Sequence, residues 1–300
     1  MMAKQSRDIY QEITDKIIKA LEKGVAPWSC PWDQTGGVSL PKNHSTGAFY
    51  SGVNTVLFFI AQHEHGYSSS SWLTYKQAKT LGGQVRKGEK GTVGVFYKTI
   101  EKESSEINQE SGKPVVNYYP MAKPFSVFNL DQIDGLELPA VVEGNGFDPL
   151  PIAEEILISS GVDILEGGTR AYYQLKMDHI GMPDRGRFSN AYDFYVTALH
   201  ELAHATKHKS RCDRKSYETK IVRGAYAFEE LVAELSSMFT AAKIGLGGDL
   251  DGHASYIDSW LGVLREDKRA IFRAAAQAQK AHEWIMAQVE VAADFERKAA

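Results

Sequence analysis

The pentapeptide His200-Glu201-Leu202-Ala203-His204 constrains this chain more than any other stretch. Two imidazoles four residues apart act together only on an unbroken α-helix, where they lie on one face about a turn apart. The surrounding residues satisfy that demand. Tyr192, Tyr195, Val196, Leu199, Leu202 and Ala203 supply an apolar face, and neither Pro nor Gly occurs between Asn190 and Lys207. A helix is therefore expected over about 190–207. In it His200 and His204 can grip one zinc ion, or another divalent ion such as manganese. Glu201 lies beside them, placed as general base toward a water that the metal activates.

The motif needs a third ligand. His208 extends the row by another four residues, but the first and third imidazoles would sit ~12 Å apart along the helix axis and cannot surround one ion. A carboxylate on a second helix serves better. Residues 226–243 read as that helix, with Phe228, Leu231, Leu235, Met238 and Ala242 as its apolar stripe. Glu230 and Glu234 are one turn apart along one flank of the stripe, and Glu229 lies on the other. Glu230 is taken as ligand and Glu234 as the group that orients a histidine N–H; Glu229 stays open as the alternative ligand. Peptide hydrolysis would also require an oxyanion donor, for which Tyr226 and His208 are candidates. An extended substrate would need an edge to pair with, and residues 171–177 offer one.

The whole chain has 300 residues, twice the ~150 typical of one domain, so two domains are expected. Its apolar and charged fractions, 43% and 24%, exclude a disordered, collagen-like or rod-like chain. The longest apolar run is Val56–Ala61, far short of the ~18 residues of a membrane span. No signal-peptide core precedes it. With only Cys30 and Cys212, neither a disulfide framework nor an all-cysteine zinc site can form, and a cytoplasmic protein with no membrane partner is expected.

The net charge of −4 is unevenly divided. Residues 1–130 carry 15 Lys/Arg against 11 Asp/Glu, and residues 131–300 carry 19 against 27. The fold expected is α+β in two domains. Residues 1–133 form a mixed α/β domain, 134–151 a Pro/Gly-rich linker, and 152–300 a mostly helical domain with a small sheet. Helices are expected over 9–21, 53–65 and 75–81, and a strand over 93–100. The polar run 101–114 reads as a solvated loop or a disordered excursion. A second strand follows over 115–129, with Pro120 and Pro124 confining it to an edge or breaking it. Further on, a helix is expected near 152–160, short strands near 162–165 and 172–177, and a closing helical stretch over 253–296.

The basic half holds Lys76, Lys79, Arg86, Lys87 and Lys90 among the aromatics Trp72, Tyr75, Phe96 and Tyr97. Cations attract phosphates, and exposed rings stack unpaired bases. Trp28 and Trp32, each after a Pro, are further stacking candidates. Composition alone also permits an ordinary solvated face whose aromatics are core.

Several strings together resemble one family. They are Pro27-Trp28 with Pro31-Trp32, Tyr50-Ser51-Gly52-Val53-Asn54, 72–78 (WLTYKQA) and 81–92 (LGGQVRKGEKGT) in the first half. In the second half they are His200–Thr206, Tyr226–Leu235 and 253–260. The chain is similar to the ArdC-type antirestriction proteins carried by conjugative plasmids. The resemblance implies an N-terminal single-stranded-DNA-binding domain and a zincin-like metallopeptidase domain, with His200, His204 and Glu201 as two ligands and the base. It also implies protection of incoming DNA from host restriction. It places the acidic ligand in the Glu229-Glu230 pair without dividing it, and Lys207 stands where the family pattern has Gly. Two functions remain open: a DNA-tethered zinc protease acting on an unknown protein substrate, or a protein that occludes single strands or the restriction enzyme and uses its metal only for stability.

Overall fold

A computed structural model describes residues 8–24, 39–107, 114–136, 149–246 and 254–299. The first half opens with helix α1 (Ile9–Glu22), capped by the Asp8 carboxylate, which accepts from the Gln11 N–H. Then come β1 (Lys42–Asn43), α2 (Val53–His65), β2 (Ser71–Leu73), α3 (Tyr75–Thr80) and β3 (Gln84–Val85). Thr74 and Gln77 form a reciprocal cap that starts α3. Two long strands, β4 (Thr92–Ile107) and β5 (Pro114–Asn129), pair antiparallel as one ribbon, and β6 (Ile133–Asp134) follows.

The polar run expected to be a loop is therefore strand as far as Ile107. Its pairing with β5 continues through Glu103↔Val116 and shifts register before Ile107↔Pro114. Backbone pairing between two strands needs no apolar face, so hydrophobicity carries no signal for it. Pro120 and Pro124 do sit at an edge, because among the described residues only Phe128 and Asn129 of β5 are paired on the side away from β4, with β2.

In the second half α4 (Pro149–Ser159) leads into β7 (Asp163–Glu166), β8 (Tyr172–Gln174) and β9 (His179–Met182). These form a sheet of order β7-β9-β8, so β8 is an edge strand. The strand expected over 172–177 ends at Gln174. Asp178, with φ of 52°, turns the chain into β9, which sequence reading missed. Four helices complete the fold: α5 (Ala191–Ala205), α6 (Gly224–Ile244), α7 (Ala254–Glu266) and α8 (Ala270–Ala299). No helix among the described residues is long and apolar enough to cross a membrane.

The core does not divide at the expected linker, most of which (137–148) lies outside the described residues. One buried cluster joins Ile13 and Ile17 of α1 and Phe58 and Phe59 of α2 to Phe228, Leu235 and Phe239 of α6, and to Trp260 and Ala274 of α7 and α8. Polar ties cross the same boundary. The Thr14 hydroxyl donates to the Lys268 carbonyl at 2.8 Å, and Arg265 meets Glu22 at 2.6 Å. A second cluster packs α4, β9 and α5 against Ile285 of α8.

Candidate metal centre

Helix α5 starts at Asn190, whose side chain accepts from the Asp193 N–H at 3.0 Å, and runs unbroken through the motif. Phe194, Ala198, Leu199, Leu202 and Ala205 anchor its buried face. That fixes the opposite face, with His200, Glu201 and His204, toward α6. The two helices cross antiparallel, so the earlier histidine meets the later glutamates. His200 Nε2 is 3.5 Å from Glu230 Oε2, and its Nδ1 is 3.3 Å from Glu234 Oε2. His204 Nε2 is 3.4 Å from Glu230 Oε1, and its Nδ1 is 3.5 Å from Glu229 Oε1.

Each imidazole therefore has a carboxylate on its Nδ1 side and turns its Nε2 inward. The two Nε2 atoms are 3.1 Å apart. A carboxylate at Nδ1 of each imidazole directs Nε2, once free of its proton, toward the Glu230 carboxylate. The donor set of two imidazoles and a carboxylate suits a divalent transition metal. Ligand atoms of His200, His204 and Glu230 all lie within 4.8 Å of one another. Among the described residues this is the one such group of three or more.

The surroundings set the charges. Burial opposes ionisation of Glu230, but His200 and His204 outweigh it and hold its carboxyl well below the usual range. Burial likewise opposes Glu229, and His204 with the Arg214 guanidinium brings it down to about 2. Burial also works against protonation of His200 and His204, but the glutamates of α6 prevail and raise both. Glu201 goes the other way. Burial raises its carboxyl, with the two histidines and the Tyr173 backbone N–H opposing. A buried carboxylate with a raised pKa has the character of a proton acceptor.

Two features of the site were not legible in the sequence. Glu229 is held by Arg214 at 2.6 Å while it faces the Nδ1 side of His204 at 3.5 Å. Arg214 is buried and also donates to the Ala203 carbonyl at 2.9 Å and to the Thr206 hydroxyl, which ties the end of α5 to α6. Arg214 lies in the irregular stretch between the helices, where no periodicity marks it. Lys207 reaches Glu229 at 3.6 Å, so the departure at that position places a cation at the metal cleft.

The cleft has a volume of about 540 Å3 and is floored by His200, Glu201, His204 and Glu230. Edge strand β8 forms one wall through Tyr172 and Tyr173, and Tyr226, half exposed, stands on the rim. His208 points elsewhere, with its Nδ1 2.7 Å from the Ser210 hydroxyl.

The expected DNA-binding residues separate. Trp72 is fully buried, stacked on Phe58 with centroids 5.0 Å apart, and offers no face to a base; its burial corrects the expectation. A Trp in a three-residue strand under α2 is core by position, and composition cannot show that. Arg86 is exposed but committed to Glu89 at 3.0 Å, to Asp134 at 3.4 Å and to the Asp131 carbonyl. Tyr75, Lys76, Lys79, Lys87 and Lys90 are exposed, and the four lysines have no ion pair among the described residues. Trp28 and Trp32 lie outside the described residues.

Comparison with known proteins accounts for both halves. Residues 7–128 match the model described as the N-terminal domain of anti-restriction factor ArdC, and residues 151–277 match a zincin-like metallopeptidase model. The crystal structure of the metal-free antirestriction ArdC protein from plasmid R388 is 41% identical, with a TM-score of 0.78, over 95% of this chain and 98% of that one. The chain belongs to the ArdC antirestriction family. The Mn(II)-bound structure of the same R388 protein superposes with a TM-score of 0.74 at 40% identity, over 94% and 98% of the two chains. Protein y4eC of Sinorhizobium fredii is 37% identical over 94% of this chain and 92% of its own length. DNA primase TraC of Escherichia coli is 38% identical over 95% of this chain, which spans only 28% of that primase.

Proposed function

We propose that this ArdC-family chain binds single-stranded DNA through its first half, residues 1–133, and hydrolyses a peptide bond at a metal centre in its second, residues 152–300. In doing so it protects incoming plasmid DNA from host restriction. The observation that carries the reading is the convergence of His200, His204 and Glu230 beside Glu201, in a cleft walled by edge strand β8. His200 Nε2, His204 Nε2 and Glu230 hold a divalent ion, zinc or, as in the R388 structure, manganese. Bound there, the ion supplies a Lewis acid for the attacking water and the scissile carbonyl.

The remaining work falls to the chain. Glu201 accepts the water proton on its buried carboxylate and returns it to the leaving amine. Strand β8 aligns an extended substrate by backbone pairing, and Tyr226 donates its hydroxyl proton toward the developing oxyanion. Glu234 and Glu229 keep the imidazoles oriented. Tethering to DNA raises the concentration of any protein substrate met there.

The test is the Glu201→Gln variant, assayed for metal content and for protection of transferred DNA. Retained metal with loss of both proteolysis and protection is expected. Full protection by that variant would leave single-strand or enzyme occlusion as the function and reduce the metal to a structural role.

A further inference from the structure

A second cavity, larger than the metal cleft, opens where the first half meets α8. Its volume is about 860 Å3, within the range of sites that enclose a small planar group. One wall is aromatic. Phe96 and Tyr97 follow one another in the regular β4 ladder, so their rings leave opposite faces; Tyr97, 45% exposed, is the one turned to α8, where its ring meets Phe272 edge-on with centroids 6.5 Å apart. The other wall is a single face of α8 and the turn before it, where Arg269, Arg273, Ala276 and Lys280 follow helical spacing.

The balance of charge there is positive. Arg273 is neutralised by Asp267, while Arg269 lies over the Tyr10 ring at 4.8 Å, and neither Arg269 nor Lys280 has an ion-pair partner among the described residues. The lone acid of the lining, Glu283, accepts from Gln279. Flat apolar rings facing cations complement a ligand with planar bases on an anionic backbone, and only an unpaired strand frees its bases for such a slot.

We propose that this groove seats one or two nucleotides of a single DNA strand, with Tyr97 stacking on a base and Arg269 and Lys280 facing the phosphates. The site is then built by both halves of the chain and not by the first alone. It rests on the single-strand binding proposed above.

The experiment measures binding of a fluorescent oligothymidylate to the full chain by anisotropy across a salt series. Tyr97→Ala should weaken binding about 5- to 150-fold, the loss of one stacked base. Ala276→Glu, which puts a carboxylate on the exposed floor of the groove, should weaken it at least as much. Arg269→Gln with Lys280→Gln should lower the salt slope by about 1.4, two phosphate contacts at roughly 0.7 each. Tyr97 and Ala276 are exposed, so an unchanged melting temperature in both variants separates lost binding from lost fold. Wild-type affinity in Tyr97→Ala and Ala276→Glu, with loss confined to Lys76→Gln plus Lys87→Gln, overturns the groove and leaves single-strand binding standing. A wild-type chain that fails to bind the oligonucleotide overturns both.

Discussion

Glu229, Glu230 and Glu234 are within six residues of one another, yet they take different parts because each meets a different imidazole atom. Glu230 faces both Nε2 atoms, so Glu230→Ala should abolish metal binding, as read by metal content after dialysis. Glu229 and Glu234 face Nδ1 atoms, and their Gln variants should keep the metal with affinity reduced about 10- to 100-fold. Metal loss in Glu229→Gln with retention in Glu230→Ala would exchange those two parts. Arg214 is a separate matter of stability. It is buried against Glu229, and Arg214→Ala strands that carboxylate at a cost of about 3–5 kcal/mol, measurable by denaturant unfolding. The histidines and Glu201 were legible because helical spacing alone brings them together. Arg214 and the support from Glu229 were not, because they depend on how α5 crosses α6.

Among the elements, α6 and α8 show how tightly helix packing controls a titratable group. His282 of α8 is buried against α6, where its Nδ1 is 3.0 Å from the Thr240 hydroxyl. That hydroxyl already donates to the Ser236 carbonyl, so it accepts from Nδ1–H and His282 is a neutral tautomer. Burial, aided by the charge of Lys243, lowers its pKa from 6.5 to about 4. Between those values the unfolded chain holds a proton that the folded chain refuses. Stability therefore rises with pH through this window, is complete above about 6.5, and is lost as pH falls toward 4. The contribution is roughly 3 kcal/mol. Unfolding titrations at pH 4.5 and 7 should show a shallower pH dependence in His282→Gln than in the wild type, and equal slopes would remove His282 as the source. Periodicity found α2 (Val53–His65) and α6 to within about two residues, because each buries an apolar stripe, but it read α7 and α8 as one closing stretch over 253–296. It missed the outer half of β4 for the opposite reason: residues 101–106 include no apolar side chain, and backbone hydrogen bonding leaves no trace in side-chain pattern.

In the whole molecule, α6 carries the site and the junction of the two halves on one helix. Its glutamates face α5, while Phe228, Leu231, Leu235 and Phe239 enter the cluster shared with α1 and α2. A charge division and a Pro/Gly-rich stretch suggested two separable units, but such signals describe surface and connection, not which apolar faces meet. The consequence is testable at a residue far from the metal in sequence. Ile17 of α1 is buried in the shared cluster, and Ile17→Ala should cost about 2–5 kcal/mol. If the halves unfold as one cooperative unit, that loss reaches the metal helices. Amide exchange at Glu229–Leu235 should accelerate together with exchange in α2, by about 30- to 5,000-fold where exchange reports global opening. If the halves were independent, α2 would lose protection and α6 would keep its own. That second pattern would mean that the apolar seam between them contributes burial without cooperativity, and that DNA binding and metal chemistry could be separated by cutting the chain.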